Sequence, residues 1–109
     1  MQNDSTDVFR ARLKLARDEN SLTQAELAEK TGLPPSSISH FESGPRKPSF
    51  DNLRRLAAAL NVTTDYLLGR TNDTEEHVHA HILLRKAASL NKEQLKVVND
   101  VIDALSKPK

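Results

Sequence analysis

Ser36, Ser37, Ser39 and His40 gather three hydroxyls and an imidazole within five residues. Each hydroxyl can donate one hydrogen bond and accept others, and a neutral imidazole does one of each. Nucleophilic catalysis would need a serine and a histidine facing one another, but Ser39 and His40 are adjacent and point apart on a helix. No serine sits in a recognisable nucleophile elbow, and the 3 glycines form no phosphate-cradling loop. The sequence therefore reads as a non-enzyme, and these side chains as a recognition surface. Arg46 and Lys47 follow directly and offer two cations to an anionic backbone; a solvated loop is the plainer alternative. A third group, His77, His79 and His81, lies near Asp73, Glu75 and Glu76. His77 and His81 share a helix face at a spacing that suits a metal, whereas His79 points away. Histidines beside a linker are ordinarily solvated, so no metal or cofactor is assigned.

The elements that position the first group are written in residues 22–44. Thr23 can cap a helix and Glu26 can reach back to it, the reciprocal capping box before an apolar pattern. Gly32 falls where a left-handed residue ends that helix, and Pro34-Pro35 fit only at or before the first turn of the next. The second helix is thus expected over about 35–43. Ile38 and Phe41 form its packing face, and the serines and His40 take its N-terminal and outward positions. A short helix displaying polar N-terminal residues, braced by the helix before it, is the geometry that places side chains on base edges in the major groove.

Thr23-Gln24-x-Glu26-Leu27-Ala28, Gly32, Ile38-Ser39-x-x-Glu42-x-Gly44 and Pro48-Ser49 resemble the motif of the lambda-repressor-like, xenobiotic-response-element (Cro/C1-type) helix-turn-helix regulators. The resemblance covers about residues 7–69. It implies that Ser36 and His40 touch base edges, with Ser37 nearer the backbone and Ser39 on the same surface. It also implies that Gln24 meets a phosphate at a helix N-terminus, helped by Ser43, Arg46 and Lys47. Serine discriminates bases weakly. Pro35 replaces the polar residue often found there and removes one possible contact. By the same resemblance Arg17 pairs with Glu42 as structure rather than function, since a partly buried charge left alone costs several kcal/mol.

The 109 residues suffice for one small domain with an appendage. There are 0 cysteines, hence no disulfide framework, which suits a reducing cytoplasm. No run approaches the roughly 18 apolar residues of a membrane span, and the N-terminus lacks the basic and apolar regions of a signal peptide. The formal net charge of +1 is modest for a protein held by phosphates, so any basic surface must be local.

Residues 1–6 are polar and expected to fray. A first helix is expected over about 7–19, with Phe9, Leu13 and Ala16 inward and Arg12 and Lys14 in water. Ser49 can cap a helix over 50–60 whose Leu53, Leu56, Ala57 and Leu60 close the core. A short helix over about 64–68 follows, with Tyr66 and Leu67 inward and Gly69 ending it. This five-helix domain spans 1–69; residues 70–74 read as a linker. Residues 75–109 read as two helices, the last capped by Asn91 and Gln94. Ile82, Leu95, Val98, Ile102 and Leu105 are expected to form a dimer seam close to a heptad pattern. Folding back onto residues 1–69 is the alternative.

The fold expected is all-α: a five-helix DNA-binding domain followed by a helical hairpin for dimerisation. The function expected is that of a dimeric repressor of a palindromic operator in double-stranded DNA, with no membrane role. The alternative is an antitoxin or other interaction module whose C-terminal helices bind a different protein, such as a toxin or an anti-repressor.

Overall fold

The computed structural model describes residues 5–72 and 74–107. Of residues 1–6, expected to fray, 1–4 lie outside these, as does Asp73 of the histidine-acid group, while Ser5 and Thr6 already belong to the first helix. Among the described residues the chain is wholly helical: α1 Ser5–Glu19, α2 Gln24–Thr31, α3 Pro35–Ser43, α4 Phe50–Leu60, α5 Thr64–Leu67, α6 Glu75–Ala87 and α7 Lys92–Ser106.

Local chemistry explains most helix ends. Thr23 accepts from the Glu26 amide and Glu26 from the Thr23 amide, at 3.0 and 2.9 Å, so both halves of the capping box close. Gly32 takes the left-handed conformation (φ 74°) after α2. Ser49, Thr63, Thr74 and Asn91 each cap a helix through a side-chain oxygen. Asn61 ends α4 in a left-handed conformation (φ 59°), which asparagine tolerates better than most residues.

The core is built from every helix up to α6. Phe9, Leu13 and Ala16 of α1 meet Leu27 and Ala28 of α2, Ile38 and Phe41 of α3, the Leu53, Leu56, Ala57 and Leu60 stripe of α4, and Tyr66 and Leu67 of α5. Phe9 meets the Phe41 ring edge to face, 6.2 Å between centroids. That contact fixes how far α3 can roll on α1.

Two features depart from expectation. Arg12 is not left in water: its guanidinium lies 4.7 Å from the Tyr66 ring centroid and donates to the Tyr66 and Thr71 carbonyls at 2.8 and 3.0 Å. The segment read as a linker is thereby tied to α1 at Thr71. Ile82, expected in a dimer seam, is 3% exposed and packs with Val78 into the same core as the first five helices. The reason is register: Val78 and Ile82 lie one turn apart on the face of α6 that meets α1. The two C-terminal helices therefore do not form a self-contained hairpin, because α6 belongs to the body and α7 buries none of its residues.

Candidate nucleic-acid interface

Recognition by a helix requires one face anchored and the other open. In α3, Ile38 and Phe41 are 0% and 1% exposed, and burying two such side chains contributes about 1.5–3 kcal/mol each. Ser36 and His40 stand exposed on the other side, and Ser37 and Ser39 are half-buried beside them. Pro35 occupies the first turn, Pro34 supplies no side-chain cap, and the Ser37 amide donates to the Pro34 carbonyl at 2.9 Å. The N-terminal end of α3 is thus uncapped by any side chain and flanked by serines, an arrangement that suits acceptor groups on a ligand.

The brace behind α3 is a charged cluster. Arg17 donates through Nε to Glu42 Oε2 at 2.6 Å and through Nη2 to Glu42 Oε1 at 3.0 Å. Its Nη1 donates to the Leu22 carbonyl at 2.7 Å, and Asp18 lies 3.4 Å from the same nitrogen. The bond to Glu42 raises the Arg17 pKa above its ordinary value, against an opposing effect of burial. Gln24 joins the cluster: its Nε2 donates to Glu42 Oε1 at 3.1 Å. One amide hydrogen of Gln24 is therefore engaged within the protein, and the second hydrogen and the amide oxygen are its remaining polar capacity. The cluster locks α1, the start of α2 and the C-terminal half of α3 into one orientation.

Beyond α3, Ser43 Oγ donates to the Ser39 carbonyl at 2.7 Å, so its hydroxyl is free only as an acceptor. Arg46 is exposed, with its guanidinium 5.6 Å from the Phe41 ring centroid, and Lys47 is exposed beside it. Two further residues near this surface, Arg10 and Phe50, carry no signal of their own in the sequence. Arg10 reaches across from α1 to the Ser43 carbonyl at 3.4 Å while also pairing with Asp7. Phe50 is 73% exposed at the first turn of α4, with Arg54 5.9 Å from its ring centroid. The Ser49 cap was the available signal, because it sets Phe50 at the helix start and leaves Leu53 to face inward. Asp51 pairs with both Arg54 and Arg55, at 2.7 and 3.1 Å, which offsets part of the charge there.

His79 is drawn away from the other two histidines. His79 pairs with Glu19 at the end of α1. His77 and His81 line a cavity of about 90 Å³ with Val62, Thr63, Tyr66 and Val78. Among the described residues no three His, Asp or Glu side chains converge as a metal would require.

The helix-turn-helix family model matches residues 13–67, about half of the chain. Over 97 residues the chain is 31% identical to the cryptic phage CTXphi transcriptional repressor RstR of Vibrio cholerae, covering 89% of this chain and 86% of that one. It is 44% identical over 59 residues to the HTH-type transcriptional regulator ImmR of Bacillus subtilis, covering 54% of this chain and 46% of the relative. Its architecture is similar to that of a transcriptional regulator from Listeria innocua known from a crystal structure. There the TM-score is 0.52, the identity 21%, and the coverage 92% of this chain and 96% of the other, a likeness of fold alone. With α2 and α3 set as described and a family match spanning α1 to α5, the chain belongs to the Cro/C1-type, lambda-repressor-like helix-turn-helix family of transcriptional regulators.

Proposed function

We propose that this protein is a sequence-specific transcriptional repressor that works in the cytoplasm as a homodimer on a palindromic operator. The observation that carries the reading is the division of α3 into a face sealed by Ile38 and Phe41 and an open face bearing Ser36 and His40. Ser36, Ser37, Ser39 and His40 contact base edges. Gln24, Ser43, Arg46 and Lys47 hold the backbone, contacts that position the domain without reading sequence. Kinship with a named phage repressor over most of both chains supports repression over activation. The exposed apolar face of α7 supports pairing of two copies, which sets two α3 helices about 34–36 Å apart, one turn of the duplex. Leu95, Val98, Ile102 and Leu105 form the seam, and Ile82 is excluded from it by its burial.

The test is selection from a random duplex pool at fixed salt, using the full chain and residues 1–90 in parallel. The cut falls after α6 because α6 is part of the core. The expected outcome is a palindrome enriched by the full chain and weakened by the truncation. Enrichment of nothing by either chain would refute sequence-specific binding. Arg46→Ala and Lys47→Ala should each lower the slope of log affinity against log salt by about one without changing the preferred sequence.

A further inference from the structure

The ring of Phe50 is out of keeping with the rest of α4. By helical register it falls on the same side as Leu53 and Ala57, which are 5% and 4% exposed, yet it is itself 73% exposed. It stands a turn ahead of Leu53, at the first position of the helix, where the Ser49 cap begins α4 and the core has ended. Among the described residues every other exposed large apolar side chain lies on α6 or α7, so Phe50 is the one such side chain on the five-helix body.

A single exposed ring is ordinary on a protein surface and identifies no partner by exposure alone. Its setting does. Residues 46–55 hold four of the chain's 16 cationic residues, Arg46, Lys47, Arg54 and Arg55, and one of its 15 acidic ones, Asp51. This stretch is therefore net positive by three, while the remainder of a chain whose formal charge is +1 is net negative by two. The positive charge that the molecule lacks as a whole is concentrated around this ring.

The cations there are held where an external anion can reach them. Arg54 lies 5.9 Å from the Phe50 ring centroid and Arg46 5.6 Å from that of Phe41, and a ring that supports a guanidinium on its face leaves N–H groups at the rim for other partners. Asp51 accepts from Arg54 at 2.7 Å and lies 3.1 Å from Arg55, one carboxylate between two guanidiniums. All three side chains are at least half exposed, so these pairs are weak and yield readily to another anion.

We propose that Phe50 is a DNA-contacting residue: its ring packs on the deoxyribose of the operator backbone while Arg54 and Arg55 meet the phosphates beside it. This rests on the DNA-binding reading above and extends its backbone contacts from Arg46 and Lys47 onto the first turns of α4. A duplex backbone alternates the two things this surface can hold, phosphate oxygens for guanidiniums and the C–H faces of a sugar for a ring. Such contacts position the domain without reading bases. Covering the ring displaces water rather than counterions, so its contribution does not fade with salt as that of the arginines does.

The test follows binding of the full chain to the duplex that selection enriches, by fluorescence anisotropy over a series of salt concentrations. Phe50→Ala should weaken binding about tenfold throughout and leave the slope of log affinity against log salt unchanged, because a ring releases no counterion. Phe50→Tyr keeps the ring and should bind within about twofold of the parent. Asp51→Asn frees both arginines and should strengthen binding and steepen the slope by about one. The preferred sequence should be the same for all four proteins, and thermal melts of the two Phe50 variants should match the parent because the ring is exposed. A parent chain that binds no duplex would overturn the DNA-binding reading and this proposal with it. A parent that binds and is matched by Phe50→Ala would overturn this proposal alone and leave the ring to a partner other than DNA. A Phe50→Ala defect seen only as a reduced slope, or a changed base preference, would do the same, since either denies an apolar contact with the backbone. An unaltered slope in Asp51→Asn would place the cluster beyond reach of the phosphates and overturn the proposal as well.

Discussion

Helices α6 and α7 are neighbours in sequence, of 13 and 15 residues, both rich in aliphatic side chains and both started by a side-chain cap. Yet Val78 and Ile82 of α6 are each 3% exposed, whereas Val101, Ile102 and Leu105 of α7 are 53%, 52% and 82% exposed. Two buried residues one turn apart, a His79–Glu19 pair and the clamp of Arg12 on Thr71 make α6 the sixth helix of the DNA-reading body. In α7 only Val98 is half-buried, and the other apolar side chains lie exposed. The contrast teaches that apolar periodicity marks a face for burial without saying what will cover it. It also divides the molecule into a body whose apolar residues make the core and an arm whose apolar residues lie open.

The sharpest way to break that division is at the charged brace of the body. Glu42→Ala leaves Arg17, whose side chain is 12% exposed, with only the longer carboxylate contact to Asp18 at 3.4 Å, and should lower stability by about 3 kcal/mol in urea unfolding. A variant as stable as the parent would show that the cluster orients α3 without supporting the fold. Next is the direct comparison of the two C-terminal helices. Ile82→Ala should cost about 2–4 kcal/mol, while Val101→Ala, measured on dilute monomer, should stay within about 0.5 kcal/mol. Equal effects would erase the distinction between body and arm.

Smaller again is the turn that delivers the chain from α5 to α6. Gly69 has φ 76°, and a Cβ there would lie 2.6 Å from Val8 Cγ1, so Gly69→Ala should cost about 1–3 kcal/mol. Gly32→Ala shares the left-handed φ but would meet nothing within 4 Å, and should cost only about 1 kcal/mol. Thermal melts of the pair separate steric from conformational cost. The least effect is expected from the capping boxes. That of α2 uses Glu26, whose pKa is lowered by hydrogen bonds from the Thr23 backbone and then its side chain; that of α7 uses neutral Gln94. A lowered carboxylate pKa adds stability that is present above the unfolded value and lost as pH falls through the folded one. Acidification through the carboxylate range should therefore loosen α2 and leave the α7 box unchanged, and Glu26→Gln should remove that part of the pH dependence. Backbone amide exchange at α2 reads this directly.

Residues that act on their own neighbours were legible in the chain. Thr23 with Glu26, Gly32, Pro35, Ser49 and Asn91 with Gln94 determine helix ends through groups at most a few positions away, so the order of the helices and the outward placement of Ser36 and His40 on α3 follow from local chemistry. Arg17 and Glu42 were linked only through a family resemblance, because no local rule joins residues on α1 and α3. Arg12 shows the limit: an arginine on the edge of an amphipathic helix reads as solvated, and only Tyr66 and Thr71, brought beside it by the fold, convert it into a clamp.

The amino-acid order by itself thus determined the helices, the caps and the polar face of α3, because these depend on interactions within a turn or two. The tertiary structure decided that Ile82 is core and Ile102 is surface, that Gln24 shares Glu42 with Arg17, and that Phe50 stands open beside the basic loop. Burial and long-range pairing belong to the packed arrangement of helices, and a repeating pattern of side chains carries no record of which helix will lie against it.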